Sequence, residues 1–250
     1  MYKGKKVIVV MPAYNSESTL KRTYDEVMDQ GIVDSVIVVD DGSRDHTRAI
    51  AAKLKNVKVV SHPVNRGYGA TQKTCYETAL KDGGDIIIMV HSDYQYTPKL
   101  IPAMASLIGN GLYHCVIGSR ILGGYALKGR MPVWKYVLNR GLTFVENVLM
   151  NAKLSDYHSG YRAFSRELLE VIPYQGNSDD FVFDNEMLAQ IIWWGYTVAE
   201  ISCPTNYFPE ASSMNVGRSL RYGIGSFSTA VAFKLARMGL VRSNLFPPTK

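Results

Sequence analysis

The chain has 250 residues, of which 46% are hydrophobic and 20% are charged. This is the composition of a globular protein, and it excludes a disordered, collagen-like or disulfide-rich chain. A net charge of +6 indicates a preference for anionic partners. Nucleic acid is not expected among them, because the Lys and Arg residues form no single run and no nucleic-acid-binding motif is present. The three cysteines lack disulfide or metal-ligand spacing, which favours a reduced, cytoplasmic setting.

Five runs rich in β-branched residues, without the polar alternation of a half-exposed strand, predict strands that are buried on both faces. The runs lie at residues 7–11, 35–39, 57–60, 86–90 and 115–117. Segments with a helical spacing of apolar residues lie between and after them, at residues 17–30, 45–54, 70–81 and 98–108. This alternation predicts an α/β fold in which a mostly parallel sheet carries helices on both faces.

The second half of the chain begins with a glycine-rich, basic loop after Arg120. The predicted elements that follow are a helix at 133–151, a turn region at 156–162, a helix at 180–194, a strand at 197–201 and a helix at 216–238. We expect a main domain over residues 1–210 and a helical extension over residues 211–250. Lys234 and Arg237 argue against a membrane-spanning helix in that extension. An amphipathic helix, either packed on the protein or lying on a membrane surface, remains open.

Polar residues follow three of the predicted strands. Residues 12–17 follow the first strand, residues 40–47 the second and residues 91–95 the fourth. The carboxyl ends of parallel strands meet at one edge of a sheet, where ligands bind in open α/β folds. Carboxylates at that edge can accept hydrogen bonds from a nucleobase or a ribose, and can hold a divalent cation against a diphosphate.

Six motifs in a fixed order give the chain a resemblance to a known family. They are PxYN at residues 12–15, DDGSxDxT at 40–47, NRGYG at 65–69, HSDxQ at 91–95, GSR at 118–120 and SGYRAF at 159–164. From residue 5 to about residue 210, the chain resembles the family 2 glycosyltransferases of GT-A fold, in the branch of dolichol-phosphate mannose synthase. Residues 65–72 also resemble a dinucleotide-binding fingerprint, but Gln72 replaces its third glycine, so an oxidoreductase is not expected.

The resemblance implies a set of residues that binds a nucleotide-sugar donor: Pro12, Tyr14, Glu17, Asp40, Asp41, Arg66, His91, Ser92 and Arg120. It also implies a Mn²⁺ or Mg²⁺ ion on the diphosphate, with Asp93, Gln95 and His91 as ligands. His91 stands where the family carries an aspartate, and nitrogen suits Mn²⁺ better than Mg²⁺. His91 therefore ligates Mn²⁺, contacts the ribose or diphosphate, or packs within the protein. Glu17 either replaces a carboxylate that many members carry next to PxYN, or occupies the first turn of the following helix.

The resemblance further implies inverting transfer of a hexose, from a donor of the GDP-mannose or UDP-glucose type, to a polyprenyl or dolichyl phosphate. It gives catalytic roles to Asp156, Asp93 and Arg162. An ionised phosphate acceptor needs cationic partners, for which the sequence offers Arg120, Lys128, Arg130 and Arg162. A saccharide hydroxyl acceptor would instead need a base, such as Asp156 or Asp184. A nucleotide-sugar-binding module without activity is the third alternative, because His91 replaces an acidic ligand.

The expected partners are thus a nucleotide sugar and a polyprenyl phosphate, with a membrane surface as an open alternative. We expect a cytoplasmic protein. Peripheral attachment to the cytoplasmic face of a membrane and formation of a homo-oligomer both stay open.

Overall fold

A computed structural model describes residues 1–205 and 216–247 of the chain. Seven strands of this part form one sheet: β1 (Val7–Ala13), β2 (Ser35–Asp40), β3 (Val57–Ser61), β4 (Ile86–Met89), β5 (Cys115–Ser119), β6 (Arg162–Ser165) and β7 (Val198–Ser202). Their order across the sheet is β3, β2, β1, β4, β6, β5, β7. Of these strands, β6 alone runs antiparallel to its neighbours. The prediction of a mostly parallel sheet is confirmed.

Helices cover both faces of this sheet. The α-helices of the described residues are α1 (Leu20–Met28), α2 (Thr47–Ala51), α3 (Tyr68–Lys81), α4 (Ile101–Gly109), α5 (Tyr125–Lys128), α6 (Val133–Met150), α7 (Arg166–Val171), α8 (Phe183–Trp193) and α9 (Val216–Arg237). Successive residues of β1 point to opposite faces, so Ile8 joins an apolar cluster with Tyr76 of α3 and Val9 joins another with Leu20 of α1. All four side chains are fully buried. Burial on both faces explains why β1, β2, β4 and β5 show no polar alternation. The edge strand β3 is only partly buried and its Lys58 is exposed, so the prediction that this strand is buried on both faces is wrong.

One strand and two helices are absent from the predicted elements. The short helix α5 lies in the segment predicted as a glycine-rich, basic loop after Arg120. The sequence predicts a turn region at residues 156–162, but β6 begins at Arg162 and α7 follows it directly. Ser165 starts α7, because its Oγ accepts a hydrogen bond from the Leu168 amide at 3.2 Å. A strand of four residues that begins with an arginine contains no apolar run, so hydrophobic patterning does not reveal it.

Several predicted helices begin later than expected, α1 and α4 among them. The helix α1 begins at Leu20, three residues after Glu17, so the placement of Glu17 in its first turn is wrong. The segment predicted as one helix at residues 98–108 is a 3₁₀-helix, Pro98–Leu100, followed by α4. Pro102 has no N–H with which to bond the carbonyl four residues earlier, so a single continuous helix cannot form there.

The helix α9 packs on α8 through aromatic rings. The ring centroids of Trp193 in α8, Phe233 in α9 and Phe246 lie 5.4 Å from one another. Phe233 and Phe246 are buried. The expected domain boundary between residues 210 and 211 lies outside the described residues. Of the helices in residues 1–205 and 216–247, none is both long enough and apolar enough to cross a membrane.

Phe233→Ala should lower the free energy of unfolding by about 3 kcal/mol, because it removes a buried ring from this aromatic cluster. Phe227→Ala is the matched control on the same helix, since Phe227 is 48% exposed. The control should change the free energy of unfolding by less than about 1 kcal/mol. Urea unfolding of both variants measures the difference. If the two variants lose equally little free energy of unfolding, the Phe233 ring does not stabilise the folded core.

Candidate functional site

The predicted site residues gather at one edge of the sheet. The strands β1, β2, β4 and β5 share one direction and end at that edge, so the motifs that follow them are neighbours. The antiparallel strand β6 begins at the same edge, because it runs the opposite way between β4 and β5. Residues 156–161, which lead into β6, are thereby brought beside the motifs from the first half of the chain.

Hydrogen bonds join the loop after β1 to the loops after β2 and β4. The Asn15 amide donates to Ser43 Oγ at 2.9 Å, and the Arg44 amide donates back to Asn15 Oδ1 at 2.9 Å. The Ser92 hydroxyl donates to the Pro12 carbonyl at 2.9 Å. Pro12 and Ser92, both predicted to bind the donor, are therefore in contact, and Ser92 holds two of the loops together.

The two aspartates at the end of β2 have different surroundings. Asp41 accepts hydrogen bonds from the amides of Arg66 and Gly67 at 2.9 and 3.0 Å, and its Oδ1 lies 2.7 Å from His62 Nδ1. Asp40 accepts a longer hydrogen bond, at 3.2 Å, from an amide of its own turn. Asp41 therefore fixes the NRGYG loop against the DDGS turn. Asp40 is the better placed of the two to bind a nucleotide.

Tyr14, Glu17 and Arg66 lie at the exposed rim of this edge. Tyr14 is 46% exposed, and the Arg66 side chain is also exposed. Glu17 Oε2 accepts a hydrogen bond from the His46 amide at 2.9 Å and lies 2.9 Å from His46 Nδ1. The backbone and side-chain hydrogen bonds from His46 hold the pKa of Glu17 below its usual value. Glu17 thus ties the first loop to the residues before α2.

The N-terminus of α3 is hydrogen-bonded to the loop that precedes α8. The amides of Gly69 and Ala70 donate to the Asp179 carbonyl at 2.8 and 3.2 Å. Gly67 has a φ of 102°, and a side chain there would overlap the same carbonyl. This close approach requires glycine. The amides that begin α3 therefore bind a loop of the protein.

A chain of hydrogen bonds fixes the tautomer of His91. The Tyr68 hydroxyl donates to Asp184 Oδ2 at 2.9 Å and lies 2.8 Å from His91 Nε2. Because Asp184 takes the single hydroxyl hydrogen, His91 donates its Nε2–H to Tyr68 and keeps the lone pair on Nδ1. A Cβ at Gly160 would overlap His91 Nε2, so only glycine fits against this ring. His91 can offer Nδ1 to a ligand, and Asp184 positions it through Tyr68.

Asp93 and Gln95 follow His91 in the loop after β4. Both residues are 8% exposed, and Asp93 Oδ1 accepts a hydrogen bond from the Gln95 amide at 3.1 Å. Carboxylate and amide oxygens together with an imidazole nitrogen form a donor set that suits Mn²⁺. Within the two described segments of the chain, no three His, Cys, Asp or Glu side chains already have metal-ligand geometry. A cation held here would complete its shell with oxygens of a diphosphate or of water.

Arg120 and Asp156 form a buried, bidentate ion pair. Arg120 Nε lies 2.8 Å from Asp156 Oδ2, and Nη2 lies 3.0 Å from Oδ1. Asn139 of α6 also donates to Asp156 Oδ1, at 3.1 Å. Burial raises the pKa of Asp156, but the charge and hydrogen bonds of Arg120 outweigh burial and hold that pKa well below its usual range. A carboxylate held in this way is a poor proton acceptor.

Arg162 lies inside the protein. Its side chain is fully buried, and its Nε and Nη2 donate to the carbonyls of Ser159 and Tyr157 at 2.8 and 2.9 Å. Its Nη1 donates to the Asp184 carbonyl and lies 3.8 Å from Asp184 Oδ1. The guanidinium therefore binds internal acceptors, and this geometry provides no contact with an acceptor phosphate.

A second buried network, absent from the predicted site, lies next to the ion pair. Glu146 of α6 is fully buried, accepts a hydrogen bond from Asn185 of α8, and has its Oε2 3.5 Å from His158 Nε2. His158 Nδ1 lies 2.7 Å from the hydroxyl of Tyr222 in α9. Burial raises the pKa of Glu146 to about 8 and lowers that of His158 to about 4. Both groups are therefore neutral at pH 7, and they link three helices to the loop before β6.

One signal in the sequence points to this network. Asn139, Thr143 and Glu146 follow one another at spacings of four and three residues, which places them on a single face of α6. Thr143 and Glu146 are buried. A polar stripe in a helix that is otherwise rich in apolar residues indicates a buried polar contact.

Comparisons with known proteins agree with the motifs. The model of the family described as Glycosyl transferase family 2 matches residues 8–172. A UDP-N-acetylglucosamine–dolichyl-phosphate N-acetylglucosaminyltransferase of Methanococcus voltae is 29% identical over 250 residues, with 94% of this chain and 98% of that protein covered. A polyprenol monophosphomannose synthase of Mycolicibacterium smegmatis is 26% identical over 203 residues, with 79% of this chain and 76% of that protein covered.

Solved structures share the fold. Glucosyl-3-phosphoglycerate synthase from Mycobacterium tuberculosis, in complex with Mn²⁺, UDP and phosphoglyceric acid, has a TM-score of 0.69 at 22% identity, covering 96% of this chain and 81% of that chain. The same enzyme in complex with Mg²⁺ and UDP also has a TM-score of 0.69. This likeness concerns the fold, and it confirms the prediction of a GT-A fold.

Glu146→Gln should stabilise the protein increasingly as the pH rises from 5 to 8. The folded carboxyl, with a pKa of about 8, keeps a proton that an ordinary carboxyl loses near pH 4.5, so the wild type loses stability across that window. The variant lacks this proton linkage. Its advantage in the free energy of unfolding should grow by about 1 kcal/mol per pH unit, as measured by urea unfolding at several pH values.

Glu170→Gln is the control for this pH series, because Glu170 is an exposed carboxylate on α7 whose ion-pair partner is an arginine, Arg166. Its difference from the wild type should not change with pH. A difference for Glu146→Gln that is equally independent of pH would mean that Glu146 is ionised in the folded protein.

Proposed function

The chain belongs to glycosyl transferase family 2, and from this membership we propose that it transfers a hexose, with inversion, from a nucleotide diphosphate sugar to a polyprenyl phosphate. Membership of the family makes the protein a glycosyltransferase. The acceptor is the more specific part of the proposal. The choice of a phosphate acceptor rests on the hydrogen-bond partners of the two carboxylates that were candidates for a catalytic base.

A hydroxyl acceptor needs a side chain that can take its proton. The two carboxylates predicted for that task are both held by protein donors. Asp156 is paired with Arg120, and Asp184 accepts hydrogen bonds from Tyr68 and Gln72, both at 2.9 Å. A polyprenyl phosphate is already ionised and needs no base, so it is the acceptor class that this arrangement favours.

Cationic side chains suited to an acceptor phosphate lie close to the ion pair. Lys128 and Arg130 are exposed in the segment that follows Arg120. Arg140 of α6 is exposed as well, and donates to the Ser155 carbonyl at 2.9 Å beside Asp156. Because the buried guanidinium of Arg162 donates its hydrogen bonds to carbonyls of the protein, we assign the predicted contact with the phosphate to Lys128 and Arg130.

The two relatives named above support this acceptor class, since the name of one refers to a dolichyl phosphate and the name of the other to a polyprenol monophosphate. On the donor side, Tyr14 follows β1 and Asp40 ends β2, at the edge of the sheet where such folds bind nucleotides. We assign to both residues the binding of the nucleoside of the donor. The proposed donor is a UDP- or GDP-linked hexose.

A divalent cation belongs to the donor side of this proposal. Asp93 and Gln95 would hold it through oxygen, and His91 through Nδ1, whose orientation Tyr68 fixes by accepting the Nε2–H. When bound, the ion supplies positive charge against the leaving diphosphate. Nitrogen in the ligand set favours Mn²⁺ over Mg²⁺. The role of Asp93 in catalysis is therefore to hold this ion.

A screen of donors against acceptors tests the proposal. UDP-glucose, UDP-N-acetylglucosamine and GDP-mannose are each combined with a short-chain polyprenyl phosphate or with oligosaccharides, and release of UDP or GDP is measured. We expect release to depend on the polyprenyl phosphate and the product to carry the inverted anomeric configuration by NMR. The rate should fall below about pH 6, where a phosphate monoester takes up its second proton. Release that depends on an oligosaccharide instead would contradict the proposed acceptor.

His91→Asp should shift the metal preference from Mn²⁺ towards Mg²⁺, because it restores a ligand set made of oxygen alone. Calorimetry of nucleotide-sugar binding with each ion measures the preference. We expect the ratio of Mn²⁺-supported to Mg²⁺-supported affinity to fall by about tenfold or more. Tyr68→Phe keeps the histidine but removes its partner, and should weaken Mn²⁺-supported binding by about tenfold.

His114→Asn is the control for the metal measurement, because His114 precedes β5 at the opposite edge of the sheet. It should leave both affinities unchanged. If His91→Asp leaves the ratio of the two affinities as it is in the wild type, His91 is not a metal ligand.

A further inference from the structure

The outer face of α6 carries a strip of exposed apolar side chains. Val133, Val137, Phe144 and Val148, here called the apolar strip, are 68%, 60%, 69% and 59% exposed. With 3.6 residues per turn, these four positions fall within about 60° of the helix circumference. The strip lies away from the buried face that carries Glu146. A helix with apolar residues on the outside as well as the inside is not an ordinary surface helix.

Neighbouring elements extend this apolar surface. Beside the strip are Trp134 and Leu138 on α6, then Leu122, Tyr125 and Leu127 around α5, and Leu220, Ile224 and Phe227 on α9. In the described part of the chain, twelve of twenty exposed large hydrophobic side chains fall within residues 122–148 and 220–227. Such concentration on a few adjacent elements marks an interaction surface.

The exposed charges on these elements have one sign, since Glu146 of α6 is fully buried. Residues 121–145 contain Lys128, Arg130, Lys135 and Arg140, and residues 216–247 contain five further Lys or Arg residues. Neither segment contains an Asp or a Glu. A symmetric dimer formed through this surface would bring like charges together. Anionic lipid headgroups would instead neutralise them while the acyl region receives the apolar side chains.

The buried face of α6 places this surface beside the proposed acceptor site. Asn139 donates to Asp156 Oδ1 at 3.1 Å, and the next residue, Arg140, donates to the Ser155 carbonyl at 2.9 Å. The apolar strip is thus separated from the Arg120–Asp156 pair by about the diameter of one helix, on the order of 10 Å.

We infer that the surface formed by α5, α6 and the exposed side of α9 docks on an anionic lipid bilayer. The apolar strip enters the interface, and the flanking Lys and Arg residues contact the headgroups. The inference rests on the proposed function in one respect, because a bilayer is where a polyprenyl phosphate resides. It names α6 as the main anchoring helix.

Vesicle co-sedimentation of the full chain tests this inference. The probes are vesicles of phosphatidylcholine alone and vesicles with about 30 mol% phosphatidylglycerol, both free of polyprenyl phosphate and donor. The double variant Val137→Asp/Phe144→Asp removes the centre of the strip. Leu112→Asp/Val171→Asp is the matched control, because those residues are 63% and 41% exposed on elements outside the surface and the change in charge is the same.

We expect the wild type and the control to bind anionic vesicles and to bind phosphatidylcholine more weakly. The strip variant should lose binding to anionic vesicles by at least about tenfold. Circular dichroism should show both variants folded, since the replaced side chains are exposed. Turnover of a water-soluble, short-chain polyprenyl phosphate should not change in the strip variant, which separates docking from transfer.

Two results would overturn the inference. One is a wild type that binds neither kind of vesicle. The other is a dimer of the wild type, detected by analytical ultracentrifugation, that the strip variant dissociates while vesicle binding is absent. In that second case the surface joins two copies of the chain.

Discussion

A fully buried arginine holds together the parts of this site that come from distant regions of the chain. The guanidinium of Arg162 binds the carbonyls of Tyr157, Ser159 and Asp184, which ties the loop before β6 to the start of α8. Burial alone would lower the pKa of Arg162, but Asp184 and other neighbours outweigh burial and the pKa is raised, so the charge stays. Replacing either Arg162 or Asp184 would leave the other charge unpaired inside the protein, which lowers the free energy of unfolding by about 3 to 5 kcal/mol.

The influence of Arg162 extends to the donor side through Asp184. The Asp184 carboxylate holds the Tyr68 hydroxyl, and that hydroxyl accepts the Nε2–H of His91. A residue in the loop after β4 is therefore oriented by a helix that follows β6. Loops on the donor side otherwise bind one another locally, as in the hydrogen bonds between Asn15 and Ser43. This chain of hydrogen bonds, together with the bonds from the amides of Gly69 and Ala70 to the Asp179 carbonyl, makes the donor side depend on the position of α8.

The sequence predicts most of the fold because the strands that define it are buried on both faces. Runs such as 7–11 and 86–90 contain only apolar residues, and each becomes a strand near the predicted bounds. The donor loops are predictable for the same reason, since they follow those strands. β6 is missed because its four residues begin with an arginine and contain no apolar run, which is the pattern that predicts a buried strand.

Side-chain pairing is what the sequence does not reveal. Asp41 and Arg162 stand in motifs that suggest ligand contacts, yet Asp41 pairs with His62, 21 positions away, and Arg162 bonds Asp184, 22 positions away. No local pattern encodes such contacts. The pairing of Arg120 with Asp156 spans 36 positions, and the network around Glu146 requires three helices to meet. Only the spacing of polar residues along α6 gives a local sign of that network.

The pairing of Asp156 with Arg120 also has an electrostatic consequence for the proposed acceptor. A carboxylate next to the path of a phosphate would repel it, and repulsion is strong where water is excluded. Arg120 cancels that charge. The cations Lys128, Arg130 and Arg140 are exposed, whereas the Arg162–Asp184 pair is buried. An incoming phosphate would therefore meet net positive charge first and a neutralised interior behind it, an order that favours binding at the mouth of the site and keeps the buried pairs intact.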